Sequence, residues 1–110
     1  MFIHPRQLRD LGVPEVQRAQ AAGARLVDVR TPAEFRRGHI AGAVSAPLGI
    51  TAETVSPWPR DTQIVLICQS GHRSQAAAHD LLRLGFGDLS HLRGGMTAWS
   101  RRGAPSVRQR

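Results

Sequence analysis

The run QIVLI (residues 63–67) is the most apolar stretch of the chain, and it ends at a polar loop that leads directly into SQAAAHDLLRLGFG (74–87). Continuous rather than alternating hydrophobicity over so short a β-branched run describes a strand covered on both faces, as in a parallel sheet with helices on each side. The segment after the loop carries apolar residues at 76, 77, 81, 82 and 84, which is helical spacing, and Gly85 is placed to end that helix. Strand, loop and helix in this order form a unit that needs further strands beside it.

The rest of the chain supplies them. HPRQLRDL (4–11) and PEVQRAQAAG (14–23) each open at a proline and predict two short helices, the second ended by Gly23. RLVDV (25–29) reads as a buried strand. In TPAEFRRG (31–38) Thr31 is an N-cap, Pro32 the first helical residue and Glu34 the return half of a capping box, with Gly38 as the stop. GAVSAPL (42–48) predicts a short strand, TAETVSPWP (51–59) a short helix or turn, DLSHL (88–92) a strand and GGMTAWSRRG (94–103) a helix led by glycine, with Met96 and Trp99 in the core. Strands alternating with helices predict an α/β domain with a mainly parallel sheet. With 110 residues, 41% of them hydrophobic, the chain suits one domain over 1–110, closed by a basic tail at 106–110.

Fifteen basic residues against eight acidic ones give a net charge of +7, and all fifteen are arginine. They are spread along the chain, Tyr is absent, and Phe and Trp total five, so no aromatic platform exists for stacking bases and nucleic-acid binding is not expected. The charge does raise the local concentration of small anions. MFIHPRQLRD lacks the apolar core of a secretory signal, and no apolar stretch approaches the roughly 20 residues that span a bilayer, so a cytoplasmic protein is expected.

Cys68 is the only cysteine and cannot form an internal disulfide, which fits a reducing compartment. It stands at the carboxyl end of the central strand, where parallel α/β sheets bind ligands. The next helix begins at about Arg73 or Ser74, so its free N–H groups and positive dipole end favour a thiolate, and Arg73 and a protonated His72 act in the same sense. Gly71 can take positive φ and turn successive loop N–H groups inward as an anion nest, with Gln69 and Ser70 contributing N–H groups and directing their side chains to the mouth. His72 is read equally as a solvent-facing loop residue or a substrate contact.

A nucleophilic thiolate inside an anion cradle suits sulfur transfer through a persulfide, or phosphoryl or arsenyl transfer. Arginine serves either by fork-like donation to oxyanions, and Arg73 is assigned that role. Cysteine phosphatases share a Cys-x5-Arg loop, whereas only four residues separate Cys68 from Arg73. The loop is one residue short for a tetrahedral phosphate and suits the smaller outer sulfur of a persulfide.

Three ordered blocks now carry a resemblance. LVDVRTPAEFRRGHIAGAVSAPL (26–48), CQSGHRS (68–74) and LRGGMTAWSRRGAP (92–105) are similar to the signatures of the single-domain rhodanese family of thiosulfate sulfurtransferases, of the types DVR-xxx-EF-xx-GHI-x-GA, a six-residue active loop, and GG-x-xAW-xx-G-xP. The resemblance implies a rhodanese-like fold of about five strands with helices on both faces. It also implies a double displacement, in which Cys68 takes sulfane sulfur from thiosulfate or another donor and passes it to a thiol, cyanide or other thiophilic acceptor. Residues 69–73 would bind the substrate, Ser74, Asp28 and Arg30 would support the loop, and no metal or organic cofactor would be required. A sulfur carrier that serves only a docked protein partner is the alternative, and a phosphatase or arsenate reductase of the same fold a third reading. Arg30 is also at helical spacing to pair with Glu34. His39 ties down the turn after Gly38 and has no Cys or His at metal-ligand spacing. Trp58 either lines the cleft or caps the core.

Overall fold

The structure is a computed structural model that describes residues 8–109. Its elements are β1 (Leu8–Leu11), α1 (Val13–Ala21), β2 (Arg25–Asp28), α2 (Pro32–Arg37), β3 (Val44–Ser45), α3 (Thr51–Val55), β4 (Ile64–Ile67), α4 (Arg73–Arg83), β5 (Leu89–Leu92) and α5 (Gly95–Arg101). The strands form one five-stranded sheet in the order β1-β5-β4-β2-β3, every pair parallel. The expected α/β architecture is observed, with β4 at its centre.

Strand periodicity assigns the faces. Ile64, Leu66 and Cys68 point to the layer that holds Val55 of α3 and Ala77, Ala78 and Leu81 of α4. Val65 and Ile67 point to the other layer, with Val13 and Val16 of α1 and Met96 and Trp99 of α5. All four residues of β4 are fully buried, as the unbroken apolar run requires. The α2 start is the predicted capping box: Thr31 Oγ1 accepts from Glu34 N, and Glu34 Oε1 accepts from Thr31 N.

Two expectations are corrected. Of the helix expected over 4–11, residues 4–7 lie outside the described residues, and 8–11 form β1 instead, an edge strand paired in register with β5. Its sequence, LRDL, buries only Leu8 fully, so the alternation that marks a strand is weak, and its conformation is set by hydrogen bonds to a strand some 80 residues away. In α4 the inward residues are Ala77, Ala78 and Leu81, with Ala76 exposed, a slight rotation of the expected face.

The segment after α5 folds back along α2. Val107 and His39 exchange backbone hydrogen bonds of 2.9 and 2.8 Å, and Gln109 N donates to Arg36 O. His39 holds the turn as expected: its ring stacks on Phe35, and its Nδ1 lies 2.7 Å from Phe35 O. Trp58 packs against the core under the guanidinium of Arg25, the core-capping alternative. No helix among the described residues is long and apolar enough to cross a membrane.

Candidate active site

The chain leaves β2 towards β3 on one side of the sheet and leaves β4 towards β5 on the other, so the carboxyl ends of β2 and β4 flank the switch point where such sheets bind ligands. Asp28 and Arg30 come from the first of these ends, and Cys68 and Gln69 from the second. The topology thereby brings together the loop and the supporting residues expected around it.

Cys68 follows directly from β4, and its side chain is turned to the α4 layer, where the residue is 1% exposed. The loop curls over the sulfur because Gly71 adopts φ 105°, a conformation that favours glycine. The Gly71 N–H then donates to Cys68 Sγ at 2.9 Å. No side chain caps the start of α4 and no acid lies in its first turn, so its positive end faces the loop without a competing carboxylate. Ser74 Oγ lies 3.7 Å from Cys68 Sγ, within reach of an S–H donor.

The loop backbone is fixed from below by α5. Met96 N donates to Cys68 O at 2.8 Å and Thr97 N to Gln69 O at 3.1 Å. This close approach requires Gly95, which has φ 57° and whose added β-carbon would lie 2.6 Å from both Gln69 C and Gln69 O and nearer still to Cys68 O. The GG of the last signature block is therefore part of the site's architecture, a role not assigned to it from sequence.

The charged residues are arranged differently from expectation. Arg30 does not pair with Glu34. Its guanidinium makes a fork with Asp28, Nε to Oδ1 at 3.0 Å and Nη2 to Oδ2 at 2.8 Å, both side chains nearly inaccessible. The same guanidinium donates to Gly38 O at 2.8 Å and to Gln69 Oε1 at 3.2 Å. A buried pair so fully hydrogen-bonded holds β2, the turn at Gly38 and the active loop in one network. Glu34 is taken by Arg73 instead, Nη1 to Oε1 at 2.7 Å and Nη2 to Oε2 at 3.0 Å. The Arg73 guanidinium, with the Thr31 N–H and hydroxyl, holds the Glu34 carboxyl down at about 2, and the same pairing raises Arg73 above its ordinary value. Arg73 reaches the site as a tether between the α4 start and the α2 cap.

Gln69 spans the mouth, its amide also donating to Thr97 Oγ1 at 3.2 Å, so its side chain is held from two sides. Ser70 and His72 are exposed and contact each other, Oγ to Nδ1 at 3.2 Å. Beside the loop is a cavity of about 450 Å³ whose lining includes Arg30, Glu34, Arg37, Gln69, Met96 and Arg108. Arg37 and Arg108 are exposed cations on its rim. Among the described residues no three His, Cys, Asp or Glu side chains converge as metal ligands.

A further polar pair approaches from the side opposite Arg30, His91 touching Ser74 and Asp10 touching His91. His91, on β5, is largely buried, with Nδ1 2.7 Å from Ser74 Oγ and Nε2 2.5 Å from Asp10 Oδ1. Sequence reasoning missed both. A histidine inside the strand DLSHL is the one available signal, and the segment that holds its partner Asp10 reads as a helix from sequence.

The family described as Rhodanese-like domain matches residues 13–102. The chain is 43% identical over 82 residues to a sulfurtransferase of Allochromatium vinosum, covering 74% of this chain and 77% of that protein. It is 33% identical over 85 residues to the thiosulfate sulfurtransferase GlpE of Pseudomonas aeruginosa, covering 77% of each. The crystal structure of a rhodanese-related protein from Thermoplasma volcanium is similar with a TM-score of 0.80 at 30% identity, over 90% of this chain and 97% of that one. The matched span contains the strand, loop and closing helix that build the site, and the chain belongs to the rhodanese-like domain family.

Proposed function

We propose that the protein is a sulfurtransferase that moves sulfane sulfur from thiosulfate or another persulfide donor to a thiophilic acceptor through a persulfide on Cys68. The observation that carries this reading is the Gly71 N–H aimed at Cys68 Sγ from a loop of four intervening residues at the end of the central strand. The Sγ thiolate attacks the outer sulfur of the donor, the S–S bond breaks, and sulfite leaves with the bonding pair when the donor is thiosulfate. The acceptor then attacks the outer sulfur of the persulfide, and Cys68 departs as the thiolate. Loop N–H groups support the anionic sulfur at both stages. A reducing, cytoplasmic setting keeps Cys68 free for the cycle.

Arg73 enters as a fixed positive charge behind the loop, because its fork is occupied by Glu34. Arg37 and Arg108 are the rim cations that gather an anionic donor into the cavity. Asp28 and Arg30 keep Gln69 and the loop in place.

The test is the intact mass of wild type and Cys68→Ser after incubation with thiosulfate, and again after cyanide. Gain of one sulfur atom by wild type alone, reversed by cyanide, is the expected result. A free, reduced wild-type thiol that gains no sulfur from thiosulfate or from a persulfide donor overturns the reading. Loading without turnover on cyanide or small thiols identifies the carrier alternative, in which a docked protein takes the sulfur.

A further inference from the structure

Sulfur transfer as proposed needs Cys68 as a thiolate, and the Gly71 N–H stabilises that state without saying where the thiol proton goes. Ser74 Oγ stands between Cys68 Sγ at 3.7 Å and His91 Nδ1 at 2.7 Å, and His91 Nε2 stands 2.5 Å from Asp10 Oδ1. The four groups form a continuous line from the buried sulfur to the sheet edge, where the Asp10 side chain is 52% exposed. Their placement follows from the sheet. Asp10 and His91 are opposite each other in the parallel register of β1 and β5, and β5 lies beside β4 on the side away from β2. The line therefore leaves the sulfur on the opposite side from Arg30 and the cavity.

We propose that Ser74, His91 and Asp10 are a proton relay that converts the resting Cys68 thiol to the thiolate, His91 acting through Ser74 and Asp10 acting through His91. The inference deepens the sulfurtransferase reading and rests on it for the use of the thiolate.

The proton positions are fixed by the partners. A carboxylate accepts only, so Nε2 carries the hydrogen donated to Asp10, and in neutral His91 Nδ1 is left as an acceptor for the Ser74 hydroxyl. Ser74 Oγ can then accept the Cys68 S–H. Ionisation breaks the S–H bond, its proton passes to Ser74 Oγ, and the hydroxyl's own proton passes to Nδ1. The products are a thiolate and an imidazolium, and no oxidant or reductant takes part. After the transfer Nδ1–H donates to Ser74 Oγ, whose remaining proton finds Gly71 O at 3.0 Å. That contact gives the hydroxyl an acceptor in its second setting. The Gly71 N–H meanwhile donates to the thiolate.

Among the described residues, the charged and titratable groups facing His91 are Asp10 from β1 and Cys68, beyond Ser74, from the end of β4. Arg93, just past β5 in the chain, reaches the same carboxylate, Nε to Oδ2 at 3.2 Å. Arg93 tempers the charge of Asp10 and fixes its orientation towards the ring. His91 and Asp10 touch no substrate and are positioning residues for the thiol.

The test is the rate of Cys68 alkylation by iodoacetamide from pH 5 to 9 in wild type, His91→Gln, Asp10→Asn and Ser74→Ala, with circular dichroism and urea unfolding to identify folded variants. Alkylation reads the thiolate directly and needs no sulfur donor, so it separates this proposal from the sulfurtransferase reading. We expect the pH profile of His91→Gln and Ser74→Ala to move to higher pH by about one unit, with the rate at pH 7 down about tenfold. Asp10→Asn, at a half-exposed site, moves the profile in the same direction with about a threefold loss. Folded His91→Gln and Asp10→Asn proteins with the wild-type profile overturn the relay. If His91→Gln does not fold, an unchanged Asp10→Asn profile overturns it alone. Shifted profiles in a protein that accepts no sulfur leave the relay standing and remove the sulfurtransferase reading, whereas wild-type profiles in variants that load sulfur normally do the reverse.

Discussion

Replacing Gly95 by alanine tests whether the active loop is held by close backbone contact with the start of α5. Gly95 has φ 57°, and its β-carbon would meet Gln69 C and O at 2.6 Å, with Cys68 O nearer. Separations below 3.0 Å do not occur for real β-carbons, so loop and helix must part, and the obstacle is backbone that cannot rotate aside. Left-handed backbone costs alanine about 1–2 kcal/mol. Parting the segments also removes the hydrogen bonds from Met96 N to Cys68 O and Thr97 N to Gln69 O, each about 1 kcal/mol net. The sum is about 3–4 kcal/mol, a large share of the roughly 5–15 kcal/mol that holds a domain of this size. Tm should fall by about 12–24 °C in a thermal scan followed by circular dichroism, and sulfur loading from thiosulfate at a temperature where the variant is still folded should fall with it. Gly103→Ala is the control, since Gly103 has φ 74° but open space around its β-carbon, and it should lose only the conformational part. Equal losses in the two variants, or a Gly95→Ala protein with wild-type Tm and loading, would refute the reasoning.

Asp28→Asn should destabilise by about 3–5 kcal/mol, read from urea unfolding, because it leaves the buried Arg30 charge without its counter-ion while Arg30 is still tied to Gly38 O and Gln69. Glu34→Gln keeps an acceptor for the cap but loses the charge facing Arg73, and should cost about 1–2 kcal/mol at pH 7. The folded-state value of Glu34 lies below its ordinary one, so this stabilisation is complete above about 4.5 and is lost as pH falls towards about 2. Urea midpoints of wild type and Glu34→Gln should therefore converge across that window, and a constant difference would exclude the ion pair as its source. Trp99→Phe removes the indole N–H donated to Pro105 O at 2.8 Å and part of a buried ring, and should lower stability by about 1–3 kcal/mol in the same assay.

Much of this was legible in local sequence. The unbroken run at Ile64–Ile67 announced a central strand, the Thr31, Pro32 and Glu34 triplet announced a helix start, and Gly71 announced the positive φ that aims its N–H at sulfur. Each is a preference of a few adjacent residues, which tertiary packing did not override. What was not legible depends on partners far along the chain. Leu8–Leu11 is a strand because β5 lies beside it, and two charges among its four residues suited a helix surface equally well. Arg30 and Glu34 are at ideal helical spacing, yet Arg30 belongs to no helix and finds the buried Asp28, leaving Glu34 to an arginine 39 positions away. His91 carries no spacing signal at all, since its partners come from β1 and α4.

These reassignments change how the loop handles negative charge. Arg73, expected to bind the anion, and Arg30, expected to support the loop, are each engaged by a carboxylate, Glu34 and Asp28 respectively. In the proposed cycle direct stabilisation of the sulfur falls to backbone, with the Gly71 N–H already donating to Sγ, a fixed dipole that needs no reorganisation when charge arrives. Cations that answer to salt stay on the cavity rim, at Arg37 and Arg108. In the proposed cycle such a division suits the outer sulfur of a persulfide, whose charge sits on one atom, and leaves the oxygens of an anionic donor to the rim cations. The loop is held by Arg73 through Glu34 of α2, by Gln69 between Arg30 and Thr97, and by α5 beneath, so the cradle's shape rests on these neighbours as well as on the positive φ of its own Gly71.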